Sequence, residues 1–419
     1  MPMSKDFEER LFLILPKIIE DFGTPFHIYD ESGVIRTGEE LKKLFSGVSG
    51  FQEFFAIKAN PNLEILKIMK RLEFGFDCSS EPELFLARYV GDGVTVDNII
   101  FSSNNTSSKE FEVASRFGGC ILNLDDISMV SKVPGEFPET ICFRYNPGKR
   151  RTGNTIIGEP EDSKYGIRHD QIVDAYRIAI KRGAKRFGLH TMICSNQLDY
   201  TYMVETIKML LGIVEMVSEE LNIKFKFINV GGGIGIPYKP DGKLFNMLAF
   251  AKEAKNLLDQ FKKKYGYVPD FFMESGRYMT GPHGVLVTKV INVMEKYKKF
   301  IGVDASCIST MMRPAIYYPN GGYHHISVFG KDDGPFEIVN IVGSACENND
   351  QFGWNRKLPK IREDDIVIIH DTGAHCYGMT SNYNGRLRPQ ELMLRSDGGV
   401  EKIRQAENLA DYLRTLNNV

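Results

Sequence analysis

Phe54-Phe55-Ala56-Ile57-Lys58-Ala59-Asn60-Pro61 is the stretch on which the fold turns. Four apolar residues in succession read as a strand covered on both faces, and the proline ends it. Lys58 closes that run, where desolvation of an ammonium group is costly. A lysine partly buried at a strand end has its pKa lowered, which frees the neutral amine to form an imine with an aldehyde. The alternative is a lysine whose stem lies along the strand while its head snorkels into water.

Working outward, seven more short apolar runs follow, at 75–78, 99–102, 120–124, 141–145, 187–193, 225–230 and 270–273. Most are joined by segments with helical apolar spacing, at 63–72, 83–89, 171–182, 202–221 and 244–265. Eight such strands alternating with helices predict an α/β fold, a (β/α)8 TIM barrel over residues 35–284. A doubly wound open sheet is the other arrangement of the same elements. Beyond residue 285 the runs at 285–292, 325–329, 336–342, 365–370 and 391–395 lack long helices between them. They predict a C-terminal β domain, and residues 25–29 offer it one further strand. The expected division is therefore the barrel and a β-rich domain made from 1–34 and 285–419.

Composition narrows the function. With 419 residues the chain exceeds one ordinary core and can build a sizeable pocket. Lys plus Arg (52) balances Asp plus Glu (54), so neither nucleic acid nor an anionic membrane is an expected partner. The acidic start Asp6-Phe7-Glu8-Glu9 does not read as a signal peptide, and an apolar run of about 18 residues is missing. Seven irregularly spaced cysteines suit reduced thiols, and a cytoplasmic location is the expectation.

Active-site groups of such a barrel come from the C-terminal ends of its strands. Lys58, Asp77, Ser80, Arg144, Ser195, Gly231-Gly232-Gly233 and Glu274-Ser275-Gly276-Arg277 all fall there. The triple glycine strips side chains from a strand end, so that backbone N–H groups can approach an anion such as phosphate, with Arg277 or Ser195 as further donors. A plain tight turn would leave the same trace. Glu274 is either an ordinary partner for Arg277 or a carboxylate that keeps a pyridine nitrogen protonated. An imine-forming lysine, a phosphate cradle and a pyridinium partner together specify pyridoxal 5'-phosphate. No metal is called for.

Seven motifs, Phe55–Asn60, Gly75–Ser80, the triple glycine, Glu274–Arg277, Arg313-Pro314-Ala315-Ile316-Tyr317, Cys346-Glu347-Asn348-Asn349-Asp350 and Ser381-Asn382-Tyr383-Asn384, occur in one order. In this the chain resembles the fold type III, alanine-racemase-like pyridoxal-phosphate decarboxylases over roughly residues 23–395, and is most similar to their diaminopimelate decarboxylase branch. The resemblance implies that Lys58 carries the cofactor as an imine and Glu274 pairs with its ring nitrogen. Gly231, Gly232, Gly233, Ser195, Gly276 and Arg277 would surround the phosphate, with Asp77 close by. It also implies a homodimer with shared sites, in which Cys346 reprotonates the α-carbon and Glu347 meets the distal amino group of a small amino-acid substrate. A buried structural cysteine is the other reading of Cys346.

Arg313 and Tyr317, four residues apart, suit the distal carboxylate of meso-diaminopimelate, whose decarboxylation makes lysine. Arg313 could instead brace its loop. Two positions depart from the family pattern. Met192 stands where a histidine normally stacks on the cofactor ring, and a thioether can cover that face. His375 stands where a cofactor-contacting tyrosine is expected, so either it or Tyr377 makes that contact. These exchanges keep two alternatives open: a decarboxylase of another amino acid (ornithine, lysine, arginine or a carboxylated polyamine precursor), or a catalytically inactive regulatory homologue.

Overall fold

The computed structural model describes residues 3–116, 118–318 and 322–417. Contacts divide the chain into two compact units, Thr37–Ile236 with Leu244–Gly276, and Met1–Arg36 with Pro237–Lys243 and Arg277–Val419. The segments 237–243 and 277–283 thus pack with the second unit, whereas the sequence division puts them in the barrel.

Strand β1 (Phe26–Asp30) belongs to the second unit. The next eight are β2 (Gln52–Ala56), β3 (Gly75–Cys78), β4 (Ile99–Phe101), β5 (Ile121–Leu124), β6 (Thr140–Arg144), β7 (Arg186–His190), β8 (Phe225–Asn229) and β9 (Asp270–Met273). They close into a parallel barrel in chain order, sealed where Gln52 of β2 pairs with Phe272 of β9. The barrel expectation holds and the open sheet does not.

Alternation along these strands places the chemistry. Phe54, Ile100, Ile121, Cys142 and Phe227 form one buried cluster, with Phe272 against it, that plugs the barrel interior. Gly188 makes room for this plug, since a Cβ there would lie 2.0 Å from the Phe227 ring. Side chains two residues further on share the same face. Those positions are Ala56, Ser102, Asn123, Arg144, Asn229 and Glu274, all polar but the first, and two residues beyond Gly75 and Gly188 they are Asp77 and His190. An apolar floor is therefore followed by a polar rim at the C-terminal mouth. Between strands, helices bury their apolar stripe: Asn62 accepts from the Glu64 N–H at 3.0 Å to start Leu63–Arg71, which buries Ile65, Leu66, Ile68 and Met69.

In the second unit, among the described residues, β1 joins β10 (Gly284–Glu295), β11 (Lys299–Val303), β12 (Ile326–Val328), β13 (Phe336–Val342), β14 (Gln351–Pro359), β15 (Ile366–Ile369), β16 (Gln390–Leu394) and β17 (Val400–Arg404) in one sheet. β1 lies antiparallel to β10 and parallel to β16, the role expected of residues 25–29. The N-terminal segment is nevertheless not β-rich. Helix Lys5–Phe22 dominates it, capped by Ser4 and burying Phe7, Leu11, Leu15 and Ile18 at three- and four-residue spacing. Strands β11, β14 and β17 also escape the sequence reading, because their charged or half-exposed residues lack a continuous apolar run. No helix among the described residues is long and apolar enough to cross a membrane.

Candidate active site

At the barrel mouth, β2 passes into a single turn, Ile57–Ala59, that presents Lys58. Its Nζ donates to Asp77 Oδ2 at 2.6 Å, an acid fully buried on the neighbouring strand. The expected lowering of the lysine pKa does not occur. Partial burial opposes the charge, the side chain remaining 49 % exposed, but the carboxylates of Asp77 and Glu274 outweigh it and hold the ammonium above the ordinary lysine range. The free amine therefore arises only when its proton is passed on. Asp77 anchors that ammonium, its own carboxyl raised to about 6 by burial and by Glu274, against the pull of Lys58.

Glu274 is the opposite case. Burial alone would neutralise it, but His190, Lys58 and Asn229 hold it ionised, below the usual carboxylate range. Asn229 Nδ2 donates to Oε1 at 2.8 Å, and His190 Nε2 lies 3.2 Å from Oε2. His190 and Asn229 are paired across β7 and β8, so two strands fix one carboxylate. Sequence reasoning gave neither residue a role. Strand parity would have found them, because each stands two residues after an inward-facing position.

The triple glycine is required by its packing. A Cβ on Gly231 would lie 2.4 Å from the Thr191 carbonyl oxygen, one on Gly232 2.5 Å from that of Glu274, and one on Gly233 2.5 Å from that of Cys194. Gly231 and Gly233 also adopt φ of 70° and 95°. The Gly231 N–H donates to Asn229 Oδ1 at 2.8 Å. Ser195 is held alongside through its carbonyl, which accepts from Asn154 Nδ2 at 2.7 Å. Gly276 permits close packing too, for its Cβ would meet that of Ala59 at 2.5 Å. Met192 is fixed through its carbonyl by Arg144 at 3.2 Å, whose guanidinium sits 4.3 Å from the Tyr165 ring centre. A glycine cradle that excludes side chains, an ionised buried carboxylate and a lysine within one barrel mouth fit the phosphate, ring nitrogen and aldehyde of pyridoxal phosphate.

One residue here had no signal in the sequence. Glu53, fully buried on β2, accepts a hydrogen bond from the Ser275 N–H, beside Glu274. Burial raises its carboxyl to about 8, only partly offset by that N–H, with Glu274 adding to the rise.

The second unit gathers the other candidates. Arg277 is buried and donates to the Tyr238 hydroxyl. Arg313, 1 % exposed, sits 4.0 Å from the Tyr238 ring centre and 5.9 Å from that of Tyr317. It donates to His324 Nε2 at 3.0 Å, while His324 Nδ1 donates to the His370 carbonyl at 2.7 Å. Burial and Arg313 keep His324 neutral. Among the described residues no carboxylate forms an ion pair with Arg313 and its Nε has no partner; the buried Asp371, whose carboxyl burial raises well above the usual range, is near enough for Arg313 to act against that rise. Tyr238 and His324 are further residues that the sequence did not flag.

Cys346 is exposed, unlike the buried Cys78, Cys142, Cys194, Cys307 and Cys376, so it is no buried structural thiol. With half-buried Glu347 it lies on the loop between β13 and β14. His375 is half-buried with φ of 55°, and Tyr377 is stacked under Arg404 at 4.8 Å.

The family model for the pyridoxal-binding domain of pyridoxal-dependent decarboxylases matches residues 32–281. Among curated proteins the chain is 40 % identical to Protein TabA of Pseudomonas amygdali pv. tabaci, covering 98 % of this chain and 96 % of that one. It is 35 % identical to the diaminopimelate decarboxylase of Methanothermobacter thermautotrophicus, over 96 % and 93 % of the two chains. Among solved structures it is similar to diaminopimelate decarboxylase from M. jannaschii in complex with L-lysine, with a TM-score of 0.86, 29 % identity and coverage of 95 % and 93 %.

Proposed function

The chain belongs to the pyridoxal-dependent decarboxylases, and from that premise we propose that its substrate is meso-2,6-diaminopimelate, converted to L-lysine and carbon dioxide in lysine biosynthesis. The observation that carries the substrate is Arg313. A buried guanidinium that no carboxylate pairs with, the nearby acid Asp371 being kept protonated by its own burial, is costly in the protein alone, and a ligand's anionic end relieves that cost. Diaminopimelate ends in a carboxylate, whereas ornithine and lysine end in a cation.

Pyridoxal phosphate, when bound, supplies the ring that takes up the electron pair left by departing carbon dioxide. The chain's residues supply the rest. Lys58 gives the amine, which the buried Asp77 carboxylate holds in place at the barrel mouth. Glu274, held ionised by His190 and Asn229, keeps a proton at the ring nitrogen. Gly231, Gly232, Gly233, Ser195, Gly276 and Arg277 hold the phosphate. Met192 covers the ring, its position set by Arg144. Arg313 and Tyr317 orient the distal carboxylate. Cys346 returns a proton to the α-carbon and Glu347 meets the distal ammonium, both reaching a partner's site in a homodimer. His375 or Tyr377 completes the cofactor contacts.

The test is direct: the loaded enzyme is given meso-diaminopimelate, and lysine and carbon dioxide are measured against an ornithine, lysine and arginine panel. Turnover of the cationic amino acids without turnover of diaminopimelate would overturn the substrate assignment. Identity of 40 % to TabA, against 35 % to the M. thermautotrophicus diaminopimelate decarboxylase, together with Met192 and His375, keeps a second reading, the same chemistry on another amino acid.

A further inference from the structure

We infer that Asp350 is a positioning residue that braces, with one carboxylate, both the segment bearing Cys346 and Glu347 and the segment bearing Arg313 and Tyr317. The inference rests on the proposed roles of Cys346, Glu347 and Arg313. Asp350 is 2 % exposed and ends the loop between β13 and β14. Its Oδ2 accepts from the Ala345 N–H at 2.7 Å, directly before Cys346. Its Oδ1 accepts from the Cys307 N–H at 2.6 Å. Cys307 opens the short helix Cys307–Thr310, which runs into Arg313–Tyr317 and so carries Arg313 and Tyr317.

The backbone of Asp350 closes the same loop. Its carbonyl accepts from Gly343 N–H at 2.8 Å and its N–H donates to the Glu347 carbonyl at 2.9 Å. Gly343 is required for this approach, because a Cβ there would lie 2.4 Å from Asp350 Oδ2. Two outer tethers steady the exposed tip: the Cys346 N–H donates to Asn384 Oδ1 at 2.7 Å, and Arg386 donates to the Ser344 carbonyl. Cys346 is exposed, so these backbone bonds are what direct it. A carboxylate is suited to the task because each of its oxygens can accept from a different backbone segment. An amide in its place offers one acceptor oxygen and turns an NH2 toward the other N–H.

The experiment compares Asp350→Asn, Gly343→Ala and Cys346→Ala with the wild-type holoenzyme by amide hydrogen exchange, visible cofactor absorption, kcat and KM. Asp350→Asn should speed exchange of the Ala345 and Cys307 amides together, lower kcat by about tenfold or more and raise KM, with cofactor absorption unchanged. Gly343→Ala, which pushes on the same oxygen without deleting it, should do the same more mildly and serves if the first variant does not fold. Cys346→Ala should abolish turnover and leave both amides as protected as before. Exchange that rises at only one segment, or kcat and KM within about twofold of wild type in Asp350→Asn while Cys346→Ala is inactive, would overturn the inference. Full turnover by Cys346→Ala would instead refute the reading of the thiol, with the exchange data still deciding whether Asp350 joins the two segments.

Discussion

Arg313→Met separates a substrate-binding arginine from one that braces its loop. In the protein alone, removal of this buried guanidinium relieves a desolvation cost of roughly several kcal/mol. Against this stand the charge-assisted bond to His324, about 1.5–3 kcal/mol, and the stacking on Tyr238 at 4.0 Å, about 0.5–2 kcal/mol. The contributions nearly cancel, so the midpoint of thermal unfolding should move by only a few degrees. Activity should not be spared. Loss of a desolvated charge pair with the distal carboxylate costs about 2–5 kcal/mol, or roughly 30- to several-thousand-fold in kcat/KM for diaminopimelate. Thermal unfolding and steady-state kinetics on the same preparation read both numbers. A variant destabilised by several kcal/mol yet unimpaired per folded molecule would refute the reasoning and make Arg313 a brace.

Other outcomes follow from the barrel mouth. Glu53→Gln removes a carboxyl whose folded pKa, about 8, lies above its unfolded value. The folded state therefore holds the proton more tightly, and wild-type stability is lost as pH rises from the ordinary carboxylate range to about 8. The unfolding midpoint of the variant should gain on wild type across that window; a constant difference would show that Glu53 ionises normally. Gly232→Ala places a Cβ against the Glu274 carbonyl and should weaken cofactor binding, read by titration of the apo-protein with pyridoxal phosphate, while wild-type affinity would remove the glycines from the cradle. Lys58→Ala should abolish both turnover and the visible absorption that borohydride bleaches in wild type, and it leaves Asp77 buried without its cation, so stability above pH 6 should fall.

Much of the fold was legible because parallel barrel strands are apolar on both faces and announce themselves as runs such as 54–57 and 225–230. Helix Lys5–Phe22 was missed for the converse reason: its apolar stripe, Phe7, Leu11, Leu15 and Ile18, is broken up in sequence and appears only when wound at helical pitch. The glycine run was visible, yet why each position must be glycine emerged only once the carbonyls of Thr191, Glu274 and Cys194 stood where its side chains would be.

The sequence by itself determined which groups are present and, through the order of strands and the parity along them, that Lys58, the glycines and Glu274 share one end of a barrel. Tertiary structure decided their charge. Lys58 is held protonated because Asp77 arrives from the next strand, Glu274 stays ionised because His190 and Asn229 arrive from two others, and Arg313 is unpaired because its surroundings are Tyr238 and His324. Asp350 likewise joins Cys307 to Ala345 across a distance no spacing rule connects. Backbone periodicity is local and can be read along the chain. Electrostatics acts through space, on neighbours that only folding brings together.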